Sequence, residues 1–217
     1  MDTEELTKIL KEQQLWLAYG GRIGQEANFH KADLRDAFLG GADLYGVDLS
    51  EADLTGAIIK WTNLQTANLK KAILVGVNLE GVNLQGAILR GANLKNTNFW
   101  YADLKEADFH GANLESASIN YAELQGANLS ETNLENTIFM QADLRETNFQ
   151  SANLSGANLQ DANLKNCNLQ AANLQGADLR ETKFEDSIFK NVTIDKNNIS
   201  MLPIKILEKY QNTFLVV

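Results

Sequence analysis

The stretch Ser151–Arg180, SANLSGANLQDANLKNCNLQAANLQGADLR, repeats one five-letter phrase six times. Working outward from it in fives, the phrase runs without insertion or deletion from Ala27 to Val192, which makes 34 blocks. A small residue opens each block and a large apolar one follows two places later, from Phe29 to Ile194. The large residue is Leu in 24 blocks, Phe in seven and Ile in three; the small one is Ala in 22 and otherwise Thr, Val, Ser or Cys167.

A helix cannot use this pattern. At ~100° per residue a five-residue repeat precesses by ~140° per block and winds its apolar stripe around the whole cylinder. In an extended segment, residues two apart share a face, so Ala152 and Leu154 point the same way and the other three residues of the block face outward or make a corner. Eleven blocks end in glycine, such as Gly41, Gly86 and Gly156, which tolerates sharp changes of direction. One short side and one corner, repeated, give a coil that stacks on itself as a solenoid at ~4.8 Å per turn. The residue before the large one is Asn or Asp in 24 blocks, and such side chains bond local backbone at turns, so this polar array is read as corner bracing. Inward Thr62, Thr97, Thr132 and Thr147 cannot build the exposed threonine ladder of an ice-binding surface.

The 217 residues are 44% hydrophobic, enough for one folded core, and the single cysteine excludes an internal disulfide. No basic leader with an apolar run opens the chain and no window approaches a membrane span, so a cytoplasmic location without membrane attachment is expected. A net charge of −9 argues against direct binding to nucleic acid.

Blocks such as GADLY, EADLT, GANLK, SANLS and QGADLR resemble the pentapeptide-repeat family across residues 27–196. The resemblance implies an all-β solenoid: a right-handed, four-sided parallel β-helix of about eight coils, with four blocks to a turn. A 20-residue turn places Phe29, Phe109, Phe149 and Phe189 in one column and Phe99 and Phe139 in the opposite one, leaving Phe184 elsewhere. The resemblance also points to the bacterial, especially cyanobacterial, members.

Both ends depart from the repeat, as solenoid ends must. Residues 1–26 read as a capping helix and linker. Leu6, Ile9, Leu10, Trp16 and Leu17 recur at helical spacing, Asp2 with Glu5 forms a capping signature and Gly20–Gly21 a stop, which predicts a helix over about Thr3–Ala18 lying across the first coil. Residues 197–217 read as a second cap, with Pro203 opening a short helix over IKILEKY. The apolar tail TFLVV either folds back on the last coil or meets another subunit. Some family members dimerise through this end, so the resemblance leaves a homodimer open.

Catalysis finds no support in the residues. His30 and His110 face outward four coils apart, roughly 19 Å, too far to share a proton or a metal. Cys167 stands at an inward position, where a packed thiol is expected. No cofactor motif or metal-spaced cluster occurs, and a rod filled by its own Leu and Ala leaves no catalytic pocket. Information must therefore lie in the outward residues that break the pattern. Trp61, Tyr101 and Tyr121 fall in one outward column, interrupted by Gly81, and Trp100 and Met140 in the next, with Ile58 and Ile138 at the Asn/Asp position alongside. This strip reads as the lateral face through which a non-catalytic scaffold binds a partner protein, unless a terminal segment covers it. A second reading comes from the resemblance: some members mimic DNA and inhibit gyrase. The repeat region holds 22 acidic and 14 basic residues, and Lys70, Lys71, Lys95, Lys105 and Lys165 interrupt the negative surface.

Overall fold

A computed structural model describes residues 1–210 and 212–217. Backbone pairing fixes the period: Asn28 bridges Asp48, Asp33 bridges Asp53, and the series of parallel bridges twenty residues apart continues unbroken to Asn173–Thr193. Twenty residues are four blocks, so the rod is a right-handed, four-sided parallel β-helix. Each side is only three residues long, small, outward, large. A side therefore contributes one paired residue per coil, and extended strands do not develop along it.

The bonds follow one rule. The large residue donates to the outward residue one coil on, as in Leu64 N–H to Asn83 C=O at 2.7 Å, and the outward residue donates back to the small one, as in Asn63 N–H to Ala42 C=O at 3.0 Å. Between sides the chain makes a tight turn closed by a bond such as Ala92 N–H to Leu89 C=O at 3.0 Å. The second residue of every turn from Lys31 to Asn191 has positive φ and the first does not, the signature of a type II turn. Glycine occupies eleven of those positions; Asn, Glu, Ser and even Trp and Tyr occupy others.

The Asn/Asp position explains how non-glycine corners hold. In all 24 blocks that carry Asn or Asp there, its Oδ1 accepts the N–H two residues on, which is the first residue of the corner, as in Asn113 with Glu115 (3.1 Å) and Asn173 with Gln175 (3.1 Å). The free amide nitrogens then link coils: Asn173 donates to Asn153 (3.1 Å), Asn153 to Asn133 (3.3 Å) and Asn133 to Asn113 (3.2 Å). The expected bracing role is what these side chains perform.

Inside, every large-position residue is buried, and phenylalanines of opposite columns meet edge to face across the axis, Phe99 with Phe109 at 6.4 Å and Phe139 with Phe149 at 6.3 Å. Inward hydroxyls and the thiol donate to backbone carbonyls: Thr147 Oγ1 to Leu124 (3.0 Å), Cys167 Sγ to Leu144 (2.8 Å) and Ser187 Oγ to Leu164 (2.5 Å) in the preceding coil, and Thr97 and Thr132 to Leu94 and Leu129 of their own corners.

Helix α1 spans Thr3–Ala18, and Asp2 caps it by accepting Glu5 N–H at 2.8 Å. It lies over the first coil with Leu6 buried, and its Gln13 accepts the Ala27 N–H at 2.7 Å, a contact that no periodicity announces. Gly24, at φ +82°, lets the chain turn back against α1: a β-carbon there would stand 2.3 Å from the Glu12 carbonyl oxygen. At the other end the last coil runs into β1 (Thr193–Ile194), α2 (Lys196–Ile199) and α3 (Ile204–Tyr210), with β2 (Leu215–Val216) returning to pair parallel with β1. The tail thus folds back. Phe214 reaches in to meet Phe189 at 6.3 Å and closes the core, while Leu215, Val216 and Val217 stay exposed.

Candidate functional site

Regular pairing carries outward residues up the rod in straight columns, so aromatic residues twenty apart become neighbours. Tyr101 and Tyr121 stack with ring centroids 5.2 Å apart and planes 16° from parallel, and Trp100 stands edge-on to both at 6.4 Å. Trp100 is held from below: its Nε1–H donates to Ser118 Oγ at 2.6 Å, and the same oxygen receives Asn120 Nδ2–H at 3.2 Å. Asn120, buried between Trp100 and Met140 in their column, also accepts the Met140 N–H at 3.0 Å. Ser118 and Asn120 thus support the cluster. They escape a search for large outward residues, although Ser118 is marked by breaking the Asn/Asp pattern.

Trp61 stands apart from that cluster, two coils away across Gly81, in the same column as Tyr101 and 62% exposed. Both tryptophans therefore lie on one side of the rod. The strip runs along a corner, however, and not on a flat face: Trp61, Trp100, Tyr101, Tyr121 and Met140 all sit at turn positions, and only Ile58 and Ile138 belong to the adjoining flat side. The three residues at the second turn position carry φ of 57–59°, a backbone region that favours glycine and rarely takes an aromatic residue. Phe38 completes the apolar row of that side, bridged directly to Ile58 and 68% exposed; it too replaces the usual Asn/Asp, and that substitution was its signal. Among the described residues no terminal segment covers the cluster: Tyr101, Tyr121 and Trp100 are all exposed.

The family model for pentapeptide repeats matches in eight copies, over residues 25–65, 62–100, 92–130, 122–161 and 152–191. The chain belongs to the pentapeptide-repeat family. Solved structures of pentapeptide-repeat proteins resemble it. QnrB1, a plasmid-mediated fluoroquinolone resistance protein, matches with a TM-score of 0.52 and 19% identity over 85% of this chain and 91% of its own, a likeness of fold. HetL, involved in heterocyst differentiation regulation in the cyanobacterium Nostoc sp. strain PCC 7120, is 28% identical over 88% of this chain and 96% of its own, with a TM-score of 0.28. Rfr23 of the cyanobacterium Cyanothece 51142 is also 28% identical, over 64% and 87%, with a TM-score of 0.23. No curated protein matches in sequence.

Elsewhere on this pentapeptide-repeat rod the polar side chains are engaged with one another. Ser50 Oγ donates to Asp48 Oδ1 at 2.6 Å, so the His30 Nδ1 beside it at 2.8 Å is a donor to the serine and not a base for it. His110 and Ser130 repeat the arrangement at 3.0 Å, with Asn128 taking the hydroxyl proton. Burial pushes the Cys167 thiol up to about 12. Acidic charge is broken up by ion pairs such as Lys60–Glu80, Lys95–Glu115 and Arg180–Asp178, and by Lys105, which bridges Asp103 and Glu123. Among the described residues no three His, Cys, Asp or Glu side chains converge in a manner suited to a metal ion. No described helix is long and apolar enough to cross a membrane.

Proposed function

We propose that the protein is a non-catalytic, cytoplasmic scaffold whose aromatic corner binds a partner protein, with Trp61, Trp100, Tyr101, Tyr121 and Met140 as its anchors. One observation carries this reading. The Trp100–Tyr101–Tyr121 cluster is ordered by the Trp100–Ser118 hydrogen bond and by ring stacking yet exposed, and it occupies turn positions where the fold asks for nothing large. Rigid Trp and Tyr side chains presented in this way lose little entropy on binding and are the usual centres of protein interfaces.

The test is affinity capture from the native host's lysate with wild type and with Trp61→Ala/Trp100→Ala, both shown to be folded. Loss of one captured protein with the double variant supports the reading; identical captures refute it. Mimicry of DNA toward gyrase is the second reading. Ion pairing disperses the negative charge where mimicry requires a continuous phosphate-like field, which favours the scaffold. A supercoiling assay with purified gyrase separates the two. A homodimer through the C-terminal end would find Met201, Ile204, Leu215, Val216 and Val217 exposed there after the tail has folded back.

A further inference from the structure

Helix α1 closes the first coil incompletely. Of its 16 residues only Leu6 and Gln13 are buried. Recesses of about 300, 450 and 480 Å³ lie between helix and coil, bounded by Ile9 and Ala27, by Leu10 and Ala42, and by Leu10 and Ala37. The inward alanines of the first coil, Ala32, Ala37 and Ala42, are accordingly half-buried, whereas Ala52 and Ala57 one coil on are buried.

Gln13 is the costly contact. Its Oε1 takes the Ala27 N–H at 2.7 Å, but its Nε2 is buried and has no partner among the described residues. A buried donor left unsatisfied favours any state that returns it to water. The other polar tie at this end, from the Met1 ammonium to Asp33 C=O at 3.0 Å, is exposed. The coil Ala67–Gly86, by contrast, is bonded to the next on all four sides, through the N–H groups of Leu69, Leu74, Leu79 and Leu84. Three glycines, Gly20, Gly21 and Gly24, join α1 to the rod, a connection able to absorb a change of direction.

We infer that α1 is a lid: it leaves the first coil as one unit while the rod stays folded, and the Gly20–Gly24 segment is its hinge. A lone helix of this length has little stability in water, so α1 melts as it leaves. Open, it uncovers the apolar end formed by Phe29, Leu34, Leu39 and Leu44 and frees the backbone edge of the first coil, the kind of edge that pairs with other chains. Closed, it keeps that edge out of reach. The lid is a property of the N-terminal end and does not depend on the aromatic corner being an interface.

Hydrogen exchange of the full chain tests this residue by residue. Ala27 belongs to the rod, but its N–H is protected by a side chain of α1; Phe29, two residues on, donates to Asp48 C=O at 2.7 Å. Ala27 should therefore share the protection of the hydrogen-bonded α1 amides, at least about a hundredfold below that of Phe29, as expected of an opening well short of global unfolding. Gly24→Ala sets a β-carbon 2.3 Å from the Glu12 carbonyl oxygen. It should lower the protection of Ala27 and α1 together by about tenfold and leave Phe29 unchanged. Leu10→Phe, which adds apolar volume where two recesses meet, should raise both by about threefold, and it decides the matter alone if the alanine variant does not fold. Equal protection of Phe29 and Ala27, whether high or low, overturns the proposal, because the cap is then fixed or the whole first coil melts with it. A gradient of protection along α1, with Ala27 apart from it, shows fraying and overturns it too, as do variants that leave the α1 amides at wild-type rates.

Discussion

The indole of Trp61 lies across Gly81: a β-carbon on that glycine would fall 2.1 Å from Trp61 Cε3 and 2.2 Å from Cζ3. The residue one coil on thus seats the side chain, and the pair acts as one unit. Gly81→Ala should unseat the indole and cost about 1 kcal/mol for alanine at φ +64°, without unfolding the rod. In a Trp16→Phe/Trp100→Phe background, Trp61 fluorescence reports the change directly. An emission spectrum identical to that of the parent would show that the seat is not used.

Ile58 offers a test in the opposite direction. It occupies an Asn/Asp position, so its block lacks the corner brace that 24 others have, and among the described residues the Lys60 N–H has no acceptor. Ile58→Asn should supply that Asx bond and raise stability by about 0.5–1 kcal/mol, a few degrees in Tm for a chain of this size, while removing apolar surface beside the aromatic corner. Thermal unfolding would show Tm rising as partner affinity falls. That opposition is what an interface paid for in stability predicts.

Cys167 should behave as a substitute hydroxyl. Because Thr147 and Ser187 make the same bond from the coils on either side, Cys167→Thr should change stability by less than about 1 kcal/mol, whereas Cys167→Leu overpacks the axis and should cost about 1–3 kcal/mol. The native thiol, buried and held as the neutral form, should react with Ellman's reagent only as fast as the rod opens.

Acid should destabilise the rod within a definite window. The Arg180 guanidinium holds the Asp178 carboxyl below the ordinary carboxylate range; at Asp108 and Asp143 burial pulls upward, but bonds led by Arg90 and Arg145 outweigh it. A carboxylate with a lowered folded pKa binds fewer protons folded than unfolded. Its contribution is therefore complete above the unfolded value, about 4, and is lost as pH falls below it. Urea midpoints should be flat from pH 7 to about 5 and decline below about 4. Each exposed pair contributes less than about 1 kcal/mol, so the decline is a sum and no single Arg→Gln variant should abolish it.

Much of this was legible because the repeat has no insertions. A constant block length fixed which residues share a column, which placed Trp61 with Tyr101 and Trp100 with Met140, and Asp2 and Glu5 marked the start of α1. Corner and flat side were not separable in advance: three of the five letters face outward, and only the turn bonds show that Trp100 and Tyr101 form the bend. Phe38 shares its column with Ile58 and Ile138, but a lone phenylalanine near the start of the repeats draws less notice than a run of Trp and Tyr. The tail was ambiguous for a physical reason. β2 pairs with β1 at a spacing of 22 residues, because α2 and α3 intervene, so TFLVV falls out of phase with the blocks.

The unbroken twenty-residue pairing makes length a quantised property of this molecule. Removing a single block from between Trp61 and Trp100 would leave a well-packed rod, but everything beyond the cut would swing a quarter turn about the axis, and the two tryptophans would look out in perpendicular directions. Only gains or losses of four blocks return them to the same azimuth. Lineages can lengthen such a rod freely in whole turns, whereas a slip of one block would erase the surface while leaving the fold untouched.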